Sequence, residues 1–141
     1  MEQADTIQRA IAFILDGFVT GGIMLAISIP LAILAVFVAP GAEGAALLVG
    51  GVQLITPLIV LGYFTYFEGK KGRTLGKKVM DLKVVKDTGG QISMTESLIR
   101  NVLRIIDVLP QFYIIGIVSI YLTEKSQRVG DLAAGTQVVE G

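Results

Sequence analysis

Residues 17–42 read GFVTGGIMLAISIPLAILAVFVAPGA, a run without a single charge. A helix needs about 20 apolar residues to cross roughly 30 Å of hydrocarbon, so this stretch is long enough for a span. A second charge-free run, residues 44–67, follows after one acid, Glu43. The remainder fits this picture. Of 141 residues, 52% are hydrophobic and 17% charged, and the mean hydropathy is +0.69. Soluble domains carry about a quarter charged residues. The chain therefore reads as an all-α integral membrane protein. A third charge-free run, residues 108–123, is short for an upright span. A cleaved signal peptide fits the N-terminus poorly, because no basic residue precedes Arg9 and a second full-length run follows at once.

Working outward, Asp5 with Gln8 three residues on is a helix-start pattern. The expected organisation is one domain, residues 1–141, with helices over about 6–38, 45–67, 93–109 and 111–123. Gly17 and Gly21 form a small-xxx-small pair that lets helices approach closely. Residues 39–44 (APGAEG) make a turn. Tyr63, Phe64, Tyr66 and Phe67 sit where interfacial aromatics belong. Ser93 and Glu96 form a capping box for the third helix, and Pro110 ends or bends it. Residues 82–86 (LKVVK) and 136–139 (TQVV) have strand character, and a hairpin-like pairing would join them. Pairing requires one side of the membrane for both. Residues 93–123 would then enter and return, giving four membrane helices; a single long third span is the alternative.

The segment 69–92 is expected to be a basic cytoplasmic loop, with Lys70, Lys71, Arg73, Lys77, Lys78, Lys83 and Lys86 facing anionic lipid headgroups. The 39–44 turn has no positive charge, so positive-inside logic puts the N-terminus and the 124–141 tail in the cytoplasm. The glycines and lysines of 69–78 do not make a phosphate loop: Gly72 and Gly76 are one residue too close, and Lys78 stands where Ser or Thr would bind magnesium. Cys and His are absent, which excludes disulfides, thiolate nucleophiles, imidazole bases and His/Cys metal sites. No cofactor motif or nucleophile–base pair is visible, so an enzyme is not expected. A net charge of zero offers no field for nucleic acid. Inside the second helix, Pro57 frees the carbonyl of Gln53. That break reads either as a kink healed by Thr56 or as an ion site.

The informative residues are charges at membrane helix positions. Arg9 and Asp16 lie seven apart on the first helix and share a face. A charge at the bilayer centre costs about 2.5–3.5 kcal/mol on insertion scales, so Asp16 must be shallow or partnered. Ser97, Arg100, Asn101, Arg104 and Asp107 share one face of the third helix, opposite Leu98, Val102, Ile105 and Leu109. Arg100 and Arg104 are the expected partners of Asp16. Asp107 meets Arg9 or stays with Arg104, and Arg128 and Asp131 close the cluster. Such a network either fixes helix register or houses a titrating carboxylate, Asp16 or Asp107, for proton-linked or cation-linked transport.

These same residues carry a family resemblance. QRAIAFILD (8–16), TLGKKVMDLKVV (74–85), LIRNVLRIIDVLP (98–110) and QRVGDLAAGT (127–136) resemble, in order, the conserved blocks of the RDD family. That family of mostly bacterial membrane proteins is named for one arginine and two aspartates. The resemblance implies that Arg9 and Asp16 are the first two of these, and that Asp131, with Asp107 as the other candidate, is the third. It implies a multi-pass protein of the bacterial plasma (inner) membrane. It leaves activity open: some members are thought to transport solutes, including by sodium/proton exchange, and larger relatives use the domain as a membrane-anchored interaction module. Two functions are thus expected. One is a transporter of a monovalent cation, proton or small solute, a homo-oligomer because so few helices leave little room for a pathway in one protomer. The other is a non-transporting scaffold or assembly factor.

Overall fold

The structure, a computed structural model, describes residues 2–108, 120–122 and 127–141, and the side chains of 105–108 fall outside that description. Two long helices dominate it: α1, Thr6–Val38, and α2, Ala42–Lys71. At 1.5 Å per residue they are about 50 and 45 Å long, well beyond the hydrocarbon thickness. Both are long and apolar enough to cross a membrane, and their apolar stretches are almost wholly uncovered by the rest of the chain. Phe18, Leu25, Phe37, Leu54 and Leu58 are all exposed. A continuous apolar surface of this size calls for lipid.

α1 begins where the capping box places it. The Asp5 side chain accepts from the Thr6 N–H at 2.7 Å, and Gln8 Oε1 accepts from the Asp5 N–H at 3.0 Å. The second helix is longer than the expected 45–67. Gly41, at φ 89°, finishes the turn early, and α2 starts at Ala42. It runs on to Lys71 because Lys70 and Lys71 suit the negative end of the helix dipole, and Gly72 then stops it in the left-handed conformation, φ 68°. Beside Pro57, the Thr56 hydroxyl donates to the Val52 carbonyl at 2.6 Å, not to the Gln53 carbonyl that Pro57 frees. Gln53 is exposed. Gly17 and Gly21 meet nothing within 4 Å among the described residues, so the small-residue pair mediates no close approach between those elements.

The expected 69–92 loop is largely ordered. It holds the end of α2, a short helix α3 (Leu75–Val79) and the strand β1 (Leu82–Lys86). α4 spans Met94–Val108, capped by Ser93 and Glu96 as its sequence pattern requires: Glu96 Oε2 accepts from the Ser93 N–H at 2.7 Å. This capping holds the partly exposed Glu96 carboxyl below its usual range. The tail contains α5 (Val129–Ala134) and β2 (Thr136–Glu140). The pairing of β1 with β2 is antiparallel, Leu82 opposite Glu140 and Lys86 opposite Thr136. Pro110, Lys125 and nearly all of the expected helix 111–123 lie outside the described residues; among the described residues the two candidate spanning helices are α1 and α2.

The sheet is pinned to the start of α1. The Ala4 N–H donates to the Val138 carbonyl at 3.2 Å, and Gln3 bridges Val139. Ala4, Ala12, Leu82, Val84, Ile92 and Val138 form a small apolar core there. The N-terminus, the end of α2, the sheet and α5 are therefore gathered at one end of the α1–α2 hairpin.

Candidate functional site

At that end the polar side chains turn inward. α4 is amphipathic in the reverse of the soluble sense: Ser97, Arg100 and Asn101 are buried, while Leu98, Ile99 and Val102 are each more than 40% exposed. Its charged face packs on α2 and α5 and its apolar face looks outward, as suits an element bordered by lipid.

Asp16 is fully buried, yet no arginine is its partner. Its Oδ1 accepts from the Tyr63 hydroxyl at 2.8 Å and from the Gly76 N–H at 2.7 Å, and its Oδ2 accepts from Thr74 Oγ1 at 2.5 Å. Thr74 is the N-cap of α3 and also accepts from the Lys77 N–H at 3.3 Å. The expected Asp16 pairing with Arg100 and Arg104 is thus replaced by neutral donors from α2 and the start of α3. The reason is proximity. α3 lies directly on α1, so close that a Cβ on Gly76 would collide with the Ala12 carbonyl oxygen and stand 2.8 Å from Asp16 Cγ.

A carboxylate that does pair with an arginine is Glu68, which sequence reasoning missed. It is fully buried near the end of α2. Arg100 Nε lies 3.1 Å from Glu68 Oε2, Asn101 Nδ2 donates to that oxygen at 3.0 Å, and Lys77 pairs with Oε1. An acid in the last turn opposes the helix dipole, and that unfavourable placement was the available signal that it has partners elsewhere. Lys77, expected to face lipid with its basic neighbours, is buried instead. Burial, with Arg100 and Arg104 nearby, pushes its ammonium down to about 7 against the pull of Glu68.

Arg100 also pairs with Asp131 and approaches Thr136 Oγ1 at 3.5 Å. Asp131 in turn accepts from the Arg128 N–H at 3.1 Å, capping α5. Gly130 lets the two elements meet: a Cβ there would stand 2.6 Å from the Arg100 carbonyl oxygen. Arg9 donates to the Val138 carbonyl on β2 at 3.2 Å. Arg104 is held by rings, with its guanidinium carbon 4.1 Å from the Phe64 centroid and 5.7 Å from that of Phe13. The buried Gln127, another missed residue, donates to the Thr136 carbonyl and to Asp87 Oδ1, both at 2.7 Å. Asp107 is the one proposed cluster member whose side chain lies outside the described residues. Gln53, Thr56 and Pro57 lie far along α2 from the cluster.

The structure therefore brings Arg9, Asp16, Arg100, Asn101, Arg104, Arg128 and Asp131 to one place and adds Glu68 and Lys77. Among the described residues, no group of acids is arranged to hold a metal ion. The cluster joins α1, α2, α3, α4, α5 and β2 through buried charges, which are costly to strand and so enforce one arrangement. No curated protein and no solved structure matches the chain. A family model does, over residues 3–135, and that range takes in every member of the cluster. On that match the chain belongs to the RDD family.

Proposed function

We propose that this protein is a non-transporting membrane scaffold of the bacterial plasma membrane, in which the buried charges clasp a small cytoplasmic platform to the ends of the membrane helices. The platform is α3, α5 and the two strands. The single observation that carries this reading is the saturation of Asp16. Its oxygens accept three hydrogen bonds, two of them from the α3 segment. A carrier of sodium or protons needs a carboxylate able to exchange its partners for the ion. Here the fully buried Asp16 is committed to the fold, and the cavity beside it is lined by more cations than acids.

The geometry also supports the topology. β1 and β2 pair, so the intervening chain crosses the membrane an even number of times or not at all. The basic residues of 69–86 share that end with the N-terminus, which favours a cytoplasmic platform.

The test is ion flux in proteoliposomes carrying a pH gradient. The wild-type protein should leave the gradient intact on addition of sodium or lithium. Asp16→Asn should instead lower the melting temperature in detergent, because an amide cannot accept from all three donors; the cost is about 1–3 kcal/mol. Gradient dissipation by the wild type, lost in a folded Asp16→Asn variant, would overturn the scaffold in favour of a cation/proton exchanger.

A further inference from the structure

The charges of the cluster do not balance. Arg9, Lys77, Arg100, Arg104 and Arg128 face Asp16, Glu68 and Asp131, so basic side chains outnumber acidic ones among the described residues. The acids are already occupied. Asp16 is taken by Tyr63, Thr74 and Gly76. Glu68 is taken by Lys77, Asn101 and Arg100. Asp131 serves Arg100 and the backbone N–H of Arg128. None of these acids is paired with the Arg104 guanidinium. Its Nη1 is buried without a hydrogen-bond partner, although a buried donor left unmade is costly.

A cavity opens at this point, lined by Arg9, Arg104 and Arg128 together with Phe64 and the already occupied acids Asp16 and Asp131. Its inner volume of about 20 Å³ admits one atom of water or oxygen size, and its mouth is partly open. Phe13 and Phe64 pack against the Arg104 guanidinium, and among the described residues no acid forms a salt bridge with it. A planar guanidinium fork matches the oxygens of a phosphoryl group.

We infer that this cavity is a phosphoryl-oxygen site, with Arg104 as the principal ligand and Arg9 and Arg128 supplying the surrounding positive field. One anionic oxygen enters the cavity and the rest of the group stays at the mouth. The source is either the phosphodiester of an anionic lipid or free inorganic phosphate. This goes beyond the scaffold reading and does not depend on it, since a transporter could carry the same site.

The experiment follows thermal melting of the purified full chain with two probes. One is millimolar inorganic phosphate in neutral detergent, against chloride at equal ionic strength. The other is reconstitution into phosphatidylcholine vesicles with or without phosphatidylglycerol. Stabilisation by phosphate assigns the free anion, and stabilisation by phosphatidylglycerol alone assigns the lipid headgroup. Arg104→Lys keeps the charge and loses the fork, so the responding probe should bind about tenfold more weakly. Lys70→Gln, on the exposed basic rim, should bind as the wild type does. Where Arg104→Lys fails to fold, phosphorus NMR of the wild-type protein reads the same site through broadening and shift of the probe's resonance. A wild type that responds to neither probe, or an Arg104→Lys variant that responds fully, would overturn the site.

Discussion

At the residue scale, burial decides which charges matter. Sequence spacing put Asp16 beside arginines, because opposite charges are the obvious partners in lipid. The protein solves the problem with neutral donors, and that choice depends on α3, a helix of five residues whose docking no local pattern announces. Glu68 carries the opposite lesson. Just past a charge-free run, it is the fully buried counter-ion of Lys77 and Arg100. Glu68→Gln leaves those cations uncompensated, which typically costs about 3–5 kcal/mol. Thermal or denaturant unfolding in detergent should register this loss. The double variant Glu68→Gln/Lys77→Gln should be less destabilised than the two single losses added together, as expected for residues in contact.

At the element scale, the helices fall into two kinds. α1 and α2 were readable almost to their ends, because capping chemistry and charge-free length are local properties. α3 and α5 were not, because each is held by contacts from elsewhere: the Asp16 carboxylate for one, Arg100 for the other. Short helices depend on such tertiary packing, since nucleation is costly. Gly76 and Gly130 are the sequence trace of that docking, small residues where backbone meets backbone. Gly76→Ala should therefore destabilise the protein by about 1–3 kcal/mol through overpacking against Ala12. Gly62→Ala, where a Cβ meets nothing, should stabilise it by about 0.5–1 kcal/mol through helix propensity. The same thermal melting assay reads both, and equal shifts at the two sites would contradict the docking of α3 on α1.

At the scale of the whole molecule, the α1–α2 hairpin sends its two ends to the same side and leaves its Ala39–Gly41 turn on the other. The pairing of β1 with β2 and the bridge from Gln3 to Val139 tie the N-terminus, the middle and the tail together at that first side. The chain has no cysteine, so single cysteines report sidedness cleanly. Glu2→Cys and Thr88→Cys should react with an impermeant maleimide only from the cytoplasmic face, and Glu43→Cys only from the opposite one. Labelling of positions 2 and 88 from different sides would break the shared platform.

Taken by itself, the order of residues determined that two helices are apolar enough for lipid, where the first begins, and that residues 82–86 meet the tail. Those follow from hydropathy, capping and alternation, all properties of neighbours along the chain. Only the tertiary structure decided who partners whom inside the polar cluster. A buried carboxylate takes whichever donors the packing brings within 3 Å, and residues 16 and 76, or 68 and 100, are brought together by packing between elements rather than by their spacing along the chain.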